Sequence, residues 1–309
     1  MDNLTHSLAG ALLGQLGLKR LTGRAMATLV IAANLPDIDA LYRFAGPGIG
    51  FRRGITHGPV ALLVLPLLLA ALVLAFDRLW PKRGGPQVRP WAVLLLAFIG
   101  TLSHPLLDWL NSYGIRFLEP FSSRWFYGDT LFIIDVWLWV ALLASVHLSQ
   151  MRERKAHAGW RRPALVGLGA IFAYVAANVL LSTVAERRTE ERLIVERKVQ
   201  PTMVVANPVP LTPWRRHMLW RDEARHGSGS YALGAGVRLD PGAIANGVDN
   251  PALARAAARD EEVRAYLFWS RMPIVVREGG RTFLGDQRFV GRRTRGYFLI
   301  PLDSAGPAP

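Results

Sequence analysis

The chain has 309 residues, half of them apolar (51%), and a formal charge of +14. Its mean hydropathy of +0.20 is high for a soluble globule, and it shows no zinc-finger, P-loop or RNA-recognition pattern that would assign the positive charge to nucleic acid. With no cysteine, disulfides and thiolate metal sites are excluded, so any metal must be held by histidine and carboxylate.

The first six residues, Met1-Asp2-Asn3-Leu4-Thr5-His6, carry an acid where a secretory leader has basic residues, so they read as mature protein. Residues 4–18 follow a helical pattern, with Gly10, Gly14 and Gly17 spaced for close helix packing. Residues 25–34 form a second apolar helix, stopped by Pro36. Both are short for a full crossing. They form either a tight pair of crossings or a re-entrant hairpin, and either returns Asp37 and Asp39 to the end where His6 lies.

A glycine-rich loop over 42–58 ends at His57, and residues 59–76 then form a long apolar span with a kink at Pro66. After a basic loop over 77–90, residues 91–109 cross back and deliver His104 and Asp108. A polar loop over 111–130 holds Arg116, Glu119, Arg124 and Asp129. The runs 131–148, with Asp135 near its start, and 163–184 complete the membrane part.

If the spans alternate, the turn at 19–24 and the loops at 77–90 and 152–162 share one side and hold a dozen Lys and Arg. The positive-inside rule makes that side cytoplasmic. His6, Asp37, Asp39, His57, Asp108 and Asp129 then gather at the extracytoplasmic face, together with the tail that follows the last span. After Glu186 the pattern turns polar. Short β-like runs at 202–206, 217–220, 231–239, 273–277 and 297–302 surround one helix over 251–267, and residues 305–309 read as a loose end. The expected architecture is a mainly α-helical polytopic membrane bundle over 1–185, with a smaller soluble α+β domain over 186–309.

His104 and Asp108 lie one turn apart on one helix face. Ionisable groups in an apolar run need a cavity, a partner or a metal. Asp37 and Asp39 flank Ile38 on a turn, where hard oxygen donors can hold one ion or bridge two. His6, Asp37, Asp39, His57, His104 and Asp108 form the candidate ligand set. Its mixed N and O donors suit one or two divalent ions, Zn²⁺ or Mn²⁺. Asp39 or Asp129 is the candidate base. Asp135 is a candidate partner of Arg124 or Arg53, and those arginines are candidates for an anionic substrate group such as phosphate. Each residue also has a plainer reading as a cap, an interface group or a polar packing pair.

Five stretches carry a resemblance: Asp2-Asn3-Leu4-Thr5-His6-Ser7, Asn34-Leu35-Pro36-Asp37-Ile38-Asp39, Arg53-Gly54-Ile55-Thr56-His57, His104-Pro105-Leu106-Leu107-Asp108 and Phe268-Trp269-Ser270-Arg271-Met272-Pro273. With residues 124–135, their order over nearly the whole chain resembles the YdjM-like family of inner-membrane-associated proteins assigned as metal-dependent hydrolases and also described as LexA-binding. Gly58 departs from the serine common there. The resemblance implies a metal site in a bacterial-type inner membrane, and it supplies no substrate. The expected activity is metal-dependent hydrolysis of an ester or phosphoester, with a lipid-like substrate and membrane lipids as surroundings. No nucleic acid is expected, and a protein partner remains open. The rival readings are a non-enzymatic membrane protein with a structural polar site and a partner-binding tail, and a cation or proton transporter.

Overall fold

The computed structural model describes residues 1–44, 52–81, 84–290 and 298–302. The glycine-rich residues 45–51, residues 82–83 of the basic loop, Tyr297 at the start of the last expected strand and the expected loose end at 305–309 lie outside this description. The chain forms two compact units, Met1–Leu41 with Arg53–Asn178, and Tyr42–Arg52 with Val179–Pro309.

The first unit is helical. Helix α1 (Asn3–Gln15) starts where the Asp2 carboxylate accepts the Leu4 and Thr5 backbone N–H groups, satisfying two donors that a helix start leaves open. The Trp139 indole N–H points to Asp2 and to the Thr5 hydroxyl, 2.9 Å away, which ties this cap to another helix. Helix α2 (Ala25–Asn34) runs into 3₁₀ turns over Leu35–Phe44. Helices α3 (Pro59–Leu79) and α4 (Pro90–Trp109) both begin on proline, whose missing N–H costs nothing there. Helices α5 (Val136–Arg154) and α6 (Arg162–Arg192) follow.

Among the described residues, three helical stretches are long and apolar enough to cross a membrane: Pro59–Leu79, Pro90–Trp109 and Arg162–Arg197. The run expected over 131–148 departs from this pattern. Its helix starts only at Val136, because the Asp135 carboxylate caps it through the Leu138 N–H, 2.9 Å away. Its last turn carries Arg152, Glu153 and Arg154.

Apolar side chains gain little by leaving lipid for other apolar side chains, so close backbone approach has to hold the bundle. A Cβ at Gly10 of α1 would lie 2.8 Å from the Leu29 carbonyl oxygen of α2. A Cβ at Gly100 of α4 would lie 2.6 Å from the Ala32 Cβ and 2.9 Å from the Leu29 carbonyl. The two glycines thus press α1 and α4 against α2, with Ala25, Leu29 and Leu96 buried between them. On α3, Leu63, Leu67, Leu72 and Leu79 stay exposed, as a lipid-facing surface requires. The segment between α4 and α5 folds back over the end of α4. Ile115 pairs with Phe126, and the Leu110 carbonyl accepts the Thr130 and Leu131 N–H groups at 2.9 Å each.

The second unit is α+β. The end of α6 widens into a π-helical turn, Leu193–Arg197, and stops at Lys198 in the left-handed region. Strands β1 (Met203–Pro208), β2 (Arg215–Arg221), β3 (Arg225–Ala232) and β4 (Gly236–Leu239) form an antiparallel sheet, with β5 (Ile244–Ala245) on β3. The expected single run over 231–239 is the end of β3, a turn at Gly234 and then β4. The expected helix over 251–267 is two helices, α7 (Pro251–Arg259) and α8 (Glu261–Trp269), because Asp260 leaves the helical region and caps the second through the Glu262 N–H. A second antiparallel sheet joins β6 (Pro273–Glu278), β7 (Arg281–Asp286) and β8 (Leu299–Pro301). Its end is fixed by a buried ion pair. Arg288 donates to Asp286 through Nε and Nη2, each at 2.8 Å, and the Ser270 hydroxyl donates to the same carboxylate at 2.5 Å.

Candidate metal centre

Proline ends α2, and the 3₁₀ turn that follows projects Asp37. A second 3₁₀ turn, Ile55–His57, precedes α3 and projects His57. Helix α4 supplies His104 and, one turn on, Asp108. Because Gly100 seats α4 against α2, these elements converge. His57 Nε2 lies 3.2 Å from His104 Nε2. Asp108 Oδ2 is 3.5 Å from each of those nitrogens, and Asp37 Oδ1 is 3.7 Å from His104 Nε2. All four donor atoms lie within 4.8 Å of one another, and His57, His104 and Asp108 are buried.

The ring of His104 is fixed from behind. Its Nδ1 is 2.7 Å from the Ala33 carbonyl oxygen, which can only accept, so Nδ1 carries the proton and Nε2 turns a lone pair to the centre. On His57, Nδ1 faces the Thr56 hydroxyl at 2.9 Å and Asp39 Oδ2 at 3.7 Å. A carboxylate on that side favours Nδ1–H and a second bare Nε2. Two lone pairs 3.2 Å apart repel each other unless a cation lies between them. Donors roughly 2.0–2.2 Å from one tetrahedral ion are about 3.3–3.6 Å apart; the spacings of His104 from His57, Asp108 and Asp37, and of His57 from Asp108, lie at 3.2–3.7 Å, and the whole group stays within 4.8 Å. The residues present therefore fit a divalent ion held by two imidazoles and two carboxylates.

Of the six expected ligands, His57, His104, Asp37 and Asp108 form that group. The ring of His6 stacks on His104, with centroids 3.8 Å apart, and its Nε2 is 3.3 Å from Asp108 Oδ1. Both His6 ring nitrogens are buried, and neither has a hydrogen-bond partner among the described residues. Asp39 sits behind His57 and accepts the Arg53 backbone N–H at 2.7 Å. Asp129, the other expected base, is buried in the loop where Gly128 abuts the Trp109 carbonyl, and it is not among the four converging donors.

Arg53 has a part that the sequence reading did not give it. Its guanidinium grips Asp108 with Nε 3.0 Å from Oδ2 and Nη2 3.1 Å from Oδ1. Nη1 reaches the Asn111 Oδ1 at 2.9 Å, and the group lies over the Tyr113 ring. The expected pairing of Asp135 with Arg53 or Arg124 gives way to the α5 cap and to the Tyr174 hydroxyl, which donates at 3.0 Å. The Met1 amino group also forms an ion pair with Asp108. Arg53 stands four residues before His57 in a stretch already singled out, but no spacing rule links it to a carboxylate 55 residues away. Gly58 has a structural reason: a Cβ there would come within 1.8 Å of the Glu119 carbonyl oxygen.

The helices and this centre define a multi-pass membrane protein with a buried histidine–aspartate site able to hold a metal ion. Residues 1–185 match the family described as YdjM inner membrane protein, and the chain belongs to that family. The stretch Phe268-Trp269-Ser270-Arg271-Met272-Pro273 lies beyond the matched residues. No curated protein and no solved structure matches the chain.

Proposed function

We propose that this protein is a membrane-bound metal-dependent hydrolase acting on a phosphoester or ester of a lipid-like substrate. The observation that carries this reading is the meeting of the His57 and His104 Nε2 atoms, 3.2 Å apart, between Asp37 and Asp108. Zinc or manganese suits such a donor set, and one ion accounts for the four donors. When bound, the ion supplies Lewis acidity, acidifying water and polarising the scissile group.

The chain's own groups do the rest. Ala33 holds His104 in the tautomer that faces inward, and on His57 the Thr56 hydroxyl and, farther off, Asp39 face the outer nitrogen. Asp39, 3.7 Å from His57 Nδ1 and outside the four donors, is assigned as proton acceptor, with Asp129 as the alternative. His6 lies against Asp108 as a further donor to the same centre or to a second ion. The basic short loops support a reading in which the site and the tail are extracytoplasmic.

A second reading has its own support. Asp108 already meets Arg53 and the Met1 amino group, so the cluster can serve as a metal-free ion-pair network in a non-enzymatic protein. Metal analysis of purified protein separates the two. Wild type should carry at least one equivalent of a divalent metal, and His104→Ala with Asp108→Ala should carry none. Equal and negligible metal in both proteins ends the hydrolase reading.

A further inference from the structure

We propose a second site, at the opposite end of the helical unit, that binds the phosphate of an anionic phospholipid headgroup. Helix α2 spans the distance between the two places: its last turn supplies Ala33 to the metal centre, and its first residue, Ala25, lines a cleft at the other end. Two clefts adjoin there and share Arg20. The larger, about 700 Å³, sets Lys19, Arg20 and Arg24 against Asp77 and Glu153. Arg24 is bound to Asp77 at 2.9 Å, and Lys19 to Glu153. Its charge is largely balanced.

The smaller, about 470 Å³, is lined by Arg20, Arg161 and Arg162 around Trp160, with no carboxylate in its wall. Lys19, Arg20 and Arg161 all lie over the Trp160 ring, at 4.8, 4.6 and 5.2 Å from its centroid. Arg161 is also seated by Gly17, where a Cβ would come within 2.8 Å of its guanidinium carbon. Glu153 accompanies Lys19 and Arg20. Among the described residues no carboxylate pairs with Arg161 or Arg162. Cations gathered on one ring repel one another, and an anion of matching charge relieves that repulsion.

The position argues for a lipid. Trp160 stands two residues before α6, which is long and apolar enough to cross the membrane. A tryptophan with basic neighbours at the end of a span lies at headgroup depth, and basic pockets between spans bind acidic headgroups. The exposed guanidinium groups of Arg161 and Arg162 are placed to take the phosphate oxygens in forked hydrogen bonds. This inference stands apart from the hydrolase reading, since it shares no residue with the metal centre.

The test is lipid retention by purified full-length protein in native mass spectrometry, with phosphatidylglycerol and phosphatidylcholine offered together and inorganic phosphate as a competitor. Wild type should retain phosphatidylglycerol in preference. Arg161→Gln with Arg162→Gln should weaken that retention on the order of 25-fold, about 5-fold per arginine. Arg161→Lys with Arg162→Lys should keep most of it, and thermal melts should show both double variants folded. Equal retention of the two lipids overturns the proposal, as does an undiminished preference in the glutamine variant. Displacement by inorganic phosphate alone would assign the cleft to a free phosphate and overturn the lipid assignment.

Discussion

The Ala33 carbonyl receives the Nδ1–H of His104 across 2.7 Å, so the end of one helix decides which nitrogen the next helix presents. That bond depends on how closely α2 and α4 approach, which Gly100 sets. Gly100→Val would drive a side chain into Ala32 and the Leu29 carbonyl. The expected cost is about 1–3 kcal/mol of stability, with loss of bound metal before loss of fold. Thermal unfolding and metal content, measured on the same preparation, check both parts.

Arg53→Ala leaves the Asp108 carboxylate buried without its forked partner. Removing one member of a buried ion pair costs about 3–5 kcal/mol. Asp108→Asn in the same chain should return part of that, a coupling above about 1 kcal/mol in a double-mutant cycle. Additive losses would mean that the two groups do not depend on each other.

Chelation should lower the melting temperature of the wild-type protein, because a ligand of the folded state stabilises it by about 2.7 kcal/mol at a hundred times its dissociation constant. His57→Ala should melt at the same temperature with and without chelator. A chelator effect that survives the substitution would place the ion elsewhere.

The buried Asp286 gives the C-terminal unit an acid limit. Burial pushes its carboxyl up, but the Arg288 guanidinium and the bonds from Arg288 and Ser270 outweigh this and hold it below its ordinary value of 3.8. Its contribution is therefore present above the ordinary carboxylate range and is lost as pH falls through the lower folded value. Asp286→Asn should cost about 3–5 kcal/mol at neutral pH by leaving the Arg288 charge buried and unpaired. Denaturant unfolding followed by tryptophan fluorescence, at pH 7 and near pH 3, should show the difference between variant and wild type shrinking in acid.

His226 acts at milder pH. Burial, and then Arg221 opposite it on β2, push its imidazole below the usual 6.5. The folded ring stays neutral where the unfolded chain already takes up a proton. Stability should fall as pH drops below 6.5 and level off once the folded ring titrates too. His226→Gln should flatten that slope, which unfolding curves between about pH 5 and 7 would show.

The long helices and most of the centre could be read from the sequence because both signals are strong. Twenty apolar residues in a row have few alternatives, and a histidine and aspartate one turn apart inside such a run call for a partner. The start of α5 could not be placed, because residues 131–135 are nearly as apolar as the helix and only the Asp135 cap divides them. Strand β3 was hidden by its composition: Gly227 and Gly229 lower strand propensity, yet a Cβ at Gly227 would strike the Trp220 ring at 2.4 Å. Strand β7 was missed in a polar stretch. The grip of Arg53 on Asp108 needed the tertiary fold, since the local sequence offered Asp135 as readily.

Helix α2 is only ten residues long, about 15 Å at 1.5 Å per residue, half the thickness of a hydrocarbon layer. His104 likewise lies 14 residues into α4, about 21 Å from its start. A span that enters the hydrocarbon layer at Pro90 would carry the centre about 21 Å into a layer of about 30 Å, beneath the segment after Leu110. Bulk water and ester linkages lie outside that depth, so a lipid-like substrate of the kind proposed would have to sink, or the bilayer dimple, for the two to meet.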